Sequence, residues 1–248
     1  MELSDFSEVE ACPIGQQSKL IYKEKKHILI GISPFNSYFS EERIFRLTEW
    51  AFKNFESVHL FIPDFISSYT LQAIGYEKQD AERKTKRQDC YLRNKAAKAL
   101  SRLGKSEDTI VTISALLSNV RYQEVYNHCL SMFDTNKEFK DACIQTAHHI
   151  LSLSEKVDEI TEEKINIAVK YFLHEFPLFI KTSYILQVKS SVFAYNKPPD
   201  FLIEIFNKGI MIDERQGFLK VEAIIKNSDQ FILGEARGKE QQKSQERT

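Results

Sequence analysis

His27-Ile28-Leu29-Ile30-Gly31-Ile32-Ser33-Pro34-Phe35-Asn36 is the stretch that decides the fold class. Its first six positions form a short, almost continuous apolar run, partly β-branched, closed by Ser-Pro and Asn-Ser turn signals. A strand with one wet face alternates apolar and polar residues. A continuous run marks a strand buried on both faces, and such strands belong to parallel sheets covered by helices. Working outward, Ser40 followed by Glu41 and Glu42 is a helix start: a capping hydroxyl, then acids near the positive helix end. Apolar residues at helical spacing (Ile44, Leu47, Trp50, Ala51) carry that helix to Asn54. Ser57–Ile62 is a second buried strand, broken by Pro63-Asp64. Strand, helix and strand within about forty residues make a βαβ unit with a right-handed crossover.

The remaining chain repeats the alternation. A long charged helix spans Lys78–Leu103, and Thr109–Ile113 is a third strand. Helices follow over Leu116–Phe133, Lys137–Leu153 and Glu162–Phe176, then a strand at Ser191–Tyr195. Pro198-Pro199 opens a short helix over Asp200–Asn207, and Leu219–Ile224 is a last strand. The expectation is an α/β protein with a mostly parallel sheet and function at the carboxyl ends of its strands, where Ser33 lies. Residues 1–24 read as a loose lead-in, 25–233 as one catalytic domain, and 234–248, nearly devoid of apolar residues, as a disordered charged tail.

Composition narrows the function classes. The 248 residues are 42% hydrophobic and 28% charged with a formal net charge of -1, ordinary for a globular chain, so any nucleic-acid footprint must be local. Cys12, Cys90, Cys129 and Cys143 are far apart, without the paired spacing of a zinc site or disulfide framework. The acidic start (Glu2, Asp5, Glu8, Glu10) is unlike a signal peptide, and no apolar run reaches the ~20 residues of a membrane span. The reading is a cytoplasmic monomer without metal or cofactor. No Gly-x-Gly-x-x-Gly follows a strand, and Gly104-Lys105-Ser106 closes a helix instead of opening one, so no bound nucleotide is indicated.

Three constellations remain. Ser33 follows a strand, but Phe35 stands where a hydrolase elbow needs glycine, and no His/Asp pair declares itself as its base. By local pattern it is a turn or cap residue before it is a nucleophile. Tyr171 and Glu175 are four apart on a helix and share a face, where a phenol and a carboxylate can bind an ammonium group and move protons. A core Tyr beside a surface Glu would look the same. The third is a basic stripe of Lys84, Arg87, Lys95, Lys98, Arg102 and Lys105 with Tyr91, joined by Arg93 on the same helix. One sign of charge gathered on one helix of a near-neutral chain suits a phosphate backbone, although charge runs are usually solvated faces.

Together these segments resemble the cyclodipeptide synthases, from about His27 to Asp200. Gly31-Ile32-Ser33-Pro34-Phe35-Asn36-Ser37-Tyr38-Phe39-Ser40 looks like that family's nucleophile segment, and Ala81-Glu82-Arg83 like the opening of its tRNA-binding helix. Tyr171 and Glu175 before Phe176-Pro177-Leu178-Phe179 are similar to its second catalytic segment, and Ala194-Tyr195 to a third. The resemblance implies a Rossmann-like domain similar to the catalytic domain of tyrosyl- and tryptophanyl-tRNA synthetases. It implies joining of two amino acids from aminoacyl-tRNAs into a cyclic dipeptide, by a ping-pong route through an aminoacyl-enzyme on Ser33, without ATP. It also implies catalytic roles for Ser33, Tyr171, Glu175 and Tyr195, substrate contacts at Leu29, Gly31, Asn36 and Asn196, and tRNA contacts at Lys84, Arg87, Arg93, Lys95, Lys98 and Arg102. Asn196 departs from the Tyr-His or Tyr-Pro of the family's branches and cannot titrate near neutrality. A non-catalytic RNA-binding module or a serine hydrolase are the alternatives. The apolar residues near Leu29, Gly31 and Ile32 favour hydrophobic amino acids such as Leu or Phe.

Overall fold

The computed structural model describes residues 7–152, 154, 157, 159–208 and 211–225. The chain opens on elements that the composition of residues 1–24 conceals. Strand β1 (Ser7–Pro13) and helix α1 (Gly15–Glu24) replace the expected lead-in. The reason is polar and tertiary. The Ser18 hydroxyl accepts from the Phe218 N–H at 2.9 Å, and the Gln17 amide donates to the carbonyls of Asp213 and Gln216 at 2.7 and 2.9 Å. Gly15 is required where α1 begins. Its φ is +78°, and a Cβ there would lie 2.4 Å from the Phe206 carbonyl oxygen.

Strand β2 (His27–Gly31) is buried at every position, as its unbroken apolar run demands. Helix α2 (Glu41–Asn54) begins at Ser40, whose hydroxyl accepts from the Arg43 N–H, and β3 (Ser57–Ile62) follows. After α3 (Ser67–Ala73) comes the basic helix α4 (Lys78–Arg102), and then the short β4 (Ile110–Thr112). The helix expected over Leu116–Phe133 is divided into α5 (Ile113–Leu116) and α6 (Val120–Thr135), the latter capped by Asn119. Helix α7 (Lys137–Ser152) precedes α8 (Glu162–Ile185), which does not stop at Phe176. It continues through Pro177 and kinks, with Lys181 at non-helical φ −145° and ψ 34°. Leu178, Ile180, Thr182 and Ile185 are buried, so packing outweighs the proline's missing donor. Strand β5 (Ser191–Tyr195), helix α9 (Asp200–Lys208) and strand β6 (Gln216–Ile225) complete the described chain. The tail expected to be disordered, 234–248, lies outside the described residues.

The six strands are ordered β1-β6-β5-β2-β3-β4, parallel throughout except for β1 against β6. Register is set by Ile28, which faces Val58 on one side and Val192 on the other. Helices cover both faces. Ile44, Leu47, Leu92 and Ala96 of α2 and α4 pack on one, and Phe172, Phe176 and Phe179 of α8 with Leu202 and Phe206 of α9 on the other. From β2 the chain moves outward to β3 and β4, then returns to β5 on the opposite side of β2. That reversal opens a crevice between β2 and β5 at their carboxyl ends, the position where sheets of this class bind ligands. Among the described residues no helix is long and apolar enough to cross a membrane.

Candidate active site

The loop leaving β2 and the end of β5 form the two walls of this crevice. Beneath them is a cavity of about 370 Å³. Gly31, Ser33, Tyr195, Tyr171 and Glu175 all line it, on a floor of Phe61, Phe172, Phe179, Phe193 and Phe218. Gly31 is there for space: a Cβ would come 2.9 Å from Phe193 Cζ and 3.4 Å from Tyr195 Cδ2. Phe35, two residues beyond Ser33, holds a left-handed φ of +57° that is costly for an aromatic residue.

The Ser33 hydroxyl is loosely held, donating to the Pro34 carbonyl at 3.5 Å. Tyr195 is its side-chain neighbour. Burial raises the pKa of this phenol, while hydrogen bonding to Ser33 and Asn36 pulls the other way. Phe39 is fully buried and stacks on Tyr195 with ring centroids 6.0 Å apart, which fixes the loop against the end of β5. Across the cavity the Tyr171 hydroxyl donates to Glu175 Oε1 at 2.7 Å. Burial in this apolar wall pushes the Glu175 carboxyl up to about 8, with the bond from Tyr171 opposing. Tyr171 is driven well above the usual phenol range by burial and then by the adjacent carboxylate. An apolar cavity that holds one poised carboxylate, two phenols and a loosely tethered hydroxyl can take an acyl group bearing an amine.

The other expected substrate contacts fall differently. Leu29 is fully buried and does not line the cavity: it lies two residues before Gly31 on the same face of β2, packed in the core cluster that includes Phe61 and Phe193. Asn36 acts from behind Tyr195, its Oδ1 also accepting from the Tyr38 N–H at 3.0 Å. Asn196 is off the cavity wall; its Oδ1 is buried without a hydrogen-bond partner among the described residues. Sequence reasoning missed Thr70 of α3 and Ile74 just after it, Thr146 and Ile150 of α7, and Lys197. The i,i+4 spacing of Thr70 and Ile74, and of Thr146 and Ile150, was the available signal, but neither pair carries distinctive chemistry.

The basic helix divides into two sets. Lys84 and Arg87 are exposed, with no ion pair among the described residues. Lys95, Lys98 and Arg102 turn toward the loop after β2 and the helix that follows it. Lys95 Nζ donates to the Phe39 carbonyl at 2.9 Å, Lys98 pairs with Glu41 at 3.1 Å, and Arg102 pairs with Glu42 at 3.5 Å while lying over the Phe45 ring. Arg93 is held by Asp89 at 2.9 Å, with the buried Asp64 at 3.8 Å.

Comparison with known proteins agrees with this geometry. The cyclodipeptide synthase family profile matches residues 9–223. A cyclo(L-leucyl-L-leucyl) synthase of Bacillus subtilis (strain 168) is 32% identical over 216 residues, covering 84% of this chain and 87% of that protein. The crystal structure of a cyclodipeptide synthase from Bacillus thermoamylovorans superposes with a TM-score of 0.81 at 33% identity, over 88% of this chain and 97% of that one. A Mycobacterium tuberculosis protein, whose structure relates cyclodipeptide synthetases to type I tRNA synthetases, matches with a TM-score of 0.78 at 25% identity, covering 87% and 94%. The sheet is thus the Rossmann-like sheet of those synthetases, and the chain belongs to the cyclodipeptide synthase family.

Proposed function

We propose that this enzyme joins two aminoacyl-tRNA-borne amino acids through a covalent intermediate on Ser33, and that its substrates are large and hydrophobic, with leucine foremost. The observation that carries the reading is the convergence of Ser33, Tyr195, Tyr171 and Glu175 on one apolar cavity at the switch point of the sheet. The leucine assignment is supported by the aromatic floor and by the name of the Bacillus subtilis relative.

In the first step Ser33 Oγ attacks the ester carbonyl of the first aminoacyl-tRNA. The bond to the ribose oxygen breaks, and the proton lost by Ser33 ends on that departing oxygen. A tRNA ester is a reactive acyl donor, so a loosely held hydroxyl beside the Tyr195 phenol suffices without a His/Asp pair. Glu175, with Tyr171 donating to it, holds the substrate ammonium. Because Glu175 ionises at about 8 in the empty site, the arriving cation draws it into its charged form. The freed amine of aminoacyl-Ser33 then attacks the ester carbonyl of the second aminoacyl-tRNA; the bond to that ribose oxygen breaks, the proton lost by the amine ends on the departing tRNA hydroxyl, and a dipeptidyl group is left on Ser33. Its terminal amine closes onto the Ser33 ester, and the ring leaves with Ser33 regenerated. Exposed Lys84 and Arg87 supply the phosphate footprint of the tRNA body, which makes binding salt-dependent.

The test mixes the protein with charged total tRNA and examines products by mass spectrometry. Cyclo(Leu-Leu) in the wild type and none with Ser33→Ala supports the reading. Undiminished product from Ser33→Ala removes Ser33 from the chemistry.

A further inference from the structure

The chemistry at Ser33 leaves part of the substrate without a place. Whenever an aminoacyl ester sits at this hydroxyl, its alcohol side is the ribose of the terminal adenosine. The adenine base and the nucleotide's 5′-phosphate are then only a few bonds away, at the mouth of the cavity. Two residues there have no task in the steps above. Phe35 lines the cavity yet keeps 53% of its surface exposed. It is held in the left-handed backbone region that an aromatic side chain rarely adopts, and it borders the cavity while still in contact with water. A strained backbone that presents an apolar ring to water marks a site that something else covers. Lys197 lines the same cavity, follows Tyr195 by two residues and is exposed. Among the described residues Glu175 and Lys197 are the only acidic and basic side chains on the lining, and the two lie on different segments.

We propose that Phe35 and Lys197 form the subsite for the terminal nucleotide of the aminoacyl-tRNA, the Phe35 ring stacking on the adenine and the Lys197 ammonium pairing with its phosphate. The two come from opposite walls of the crevice, Phe35 from the loop after β2 and Lys197 from the segment after β5, so one nucleotide bridges the switch point above Ser33. A nucleobase suits Phe35 because every base presents a π face, and stacking on an aromatic ring is worth about tenfold or more in affinity. A phosphate suits Lys197 because the lysine meets it as a point charge without demanding bidentate geometry. The subsite deepens the reading of Ser33 as acyl acceptor and rests on it.

The experiment compares initial rates with leucyl-tRNA for the wild type, Phe35→Gly, Phe35→Tyr and Lys197→Ala, with the trinucleotide CpCpA as competitor. Glycine removes the ring and relieves the backbone, so a loss in Phe35→Gly cannot be ascribed to strain, and tyrosine restores the stacking face. Expected are a KM about tenfold higher for Phe35→Gly, near wild-type KM for Phe35→Tyr, and a several-fold higher KM for Lys197→Ala with a shallower salt dependence. CpCpA should inhibit the wild type competitively and both ring- and charge-deleted variants more weakly. A nucleotide-free leucyl ester as donor separates packing from recognition: the preference for tRNA over this ester should fall about tenfold in Phe35→Gly. An unchanged KM in Phe35→Gly and Lys197→Ala, equal losses on both donors, or CpCpA inhibition that ignores the substitutions would overturn the subsite. Intact-mass detection of acyl-Ser33, made in parallel, reads the covalent step alone, so its failure is distinguishable from failure of the subsite.

Discussion

Glu175 carries the tension between stability and activity at this site. In the folded chain its carboxyl ionises at about 8, against about 4.5 for the free group, because the wall around it is apolar. Between those two values the unfolded chain gives up the proton while the folded chain keeps it, so stability falls as pH rises through that window. Glu175→Gln should therefore melt higher than wild type at pH 8, by on the order of 1–2 kcal/mol once water entering the cavity is discounted, and equally at pH 4.5. The same variant should lose product formation at least a hundredfold. A variant that is inactive and also less stable at pH 8 would show that Glu175 serves the fold and not the substrate. Gly31 is constrained in the opposite sense: Gly31→Ala places a methyl group against Phe193 and Tyr195 and should cost roughly 1–3 kcal/mol by overpacking, visible in thermal melts, while narrowing the cavity.

Among the elements, α4 and the loop after β2 act together. Lys95 belongs by spacing to a basic stripe, yet its amine is bound to the Phe39 carbonyl, next to a ring stacked on Tyr195. Lys95→Met should lower kcat for leucyl-tRNA about tenfold with little change in KM or salt dependence, whereas Lys84→Met with Arg87→Met should raise KM and flatten the salt dependence. The reverse pattern, read from steady-state rates at two salt concentrations, would make Lys95 a phosphate contact. This pair of roles also marks what a sequence can and cannot disclose. The run His27–Ile32, the Ser40 cap and the strand Ser57–Ile62 are local signals of burial and capping, and each forms its element where the pattern places it. Helix α1 is held by Ser18 and Gln17 bonding to chain some two hundred residues away and leaves no local trace, whereas the Glu8-Val9-Glu10-Ala11 alternation of β1 is the local pattern of a strand with one wet face, too short within an acidic segment to stand out. The Lys95–Phe39 bond and the burial of Leu29 in the core, away from the cavity lining, are likewise tertiary facts. The family resemblance located Ser33, Tyr171, Glu175 and Tyr195; the fold brings them around one cavity.

Across the whole molecule, two sets of buried ionisable groups sit at opposite ends of the sheet, Glu175 and its phenols at one and a histidine pair at the other. His27 and His59, at the amino ends of β2 and β3, are bonded to each other at 2.9 Å, and His27 also to Ser191 at 2.7 Å. Burial, then the neighbouring His59, depresses His27 to about 3, and burial lowers His59. These groups contribute stability above about pH 6.5 that is lost as pH falls below it, since the unfolded chain takes up protons the folded chain refuses. Melting temperature should decline below pH 6.5 and decline less steeply in His27→Gln; an identical slope would exclude this pair as the cause. Ser33 lies at the other end of the sheet, and its acylation is the step on which the proposed chemistry turns. It is tested most directly by mixing the enzyme briefly with leucyl-tRNA, quenching in acid and weighing the intact protein and its peptides. One leucyl group is expected on the peptide that contains Ser33, absent in Ser33→Ala. Turnover to cyclic dipeptide without any acylated Ser33 at any quench time would contradict the covalent step.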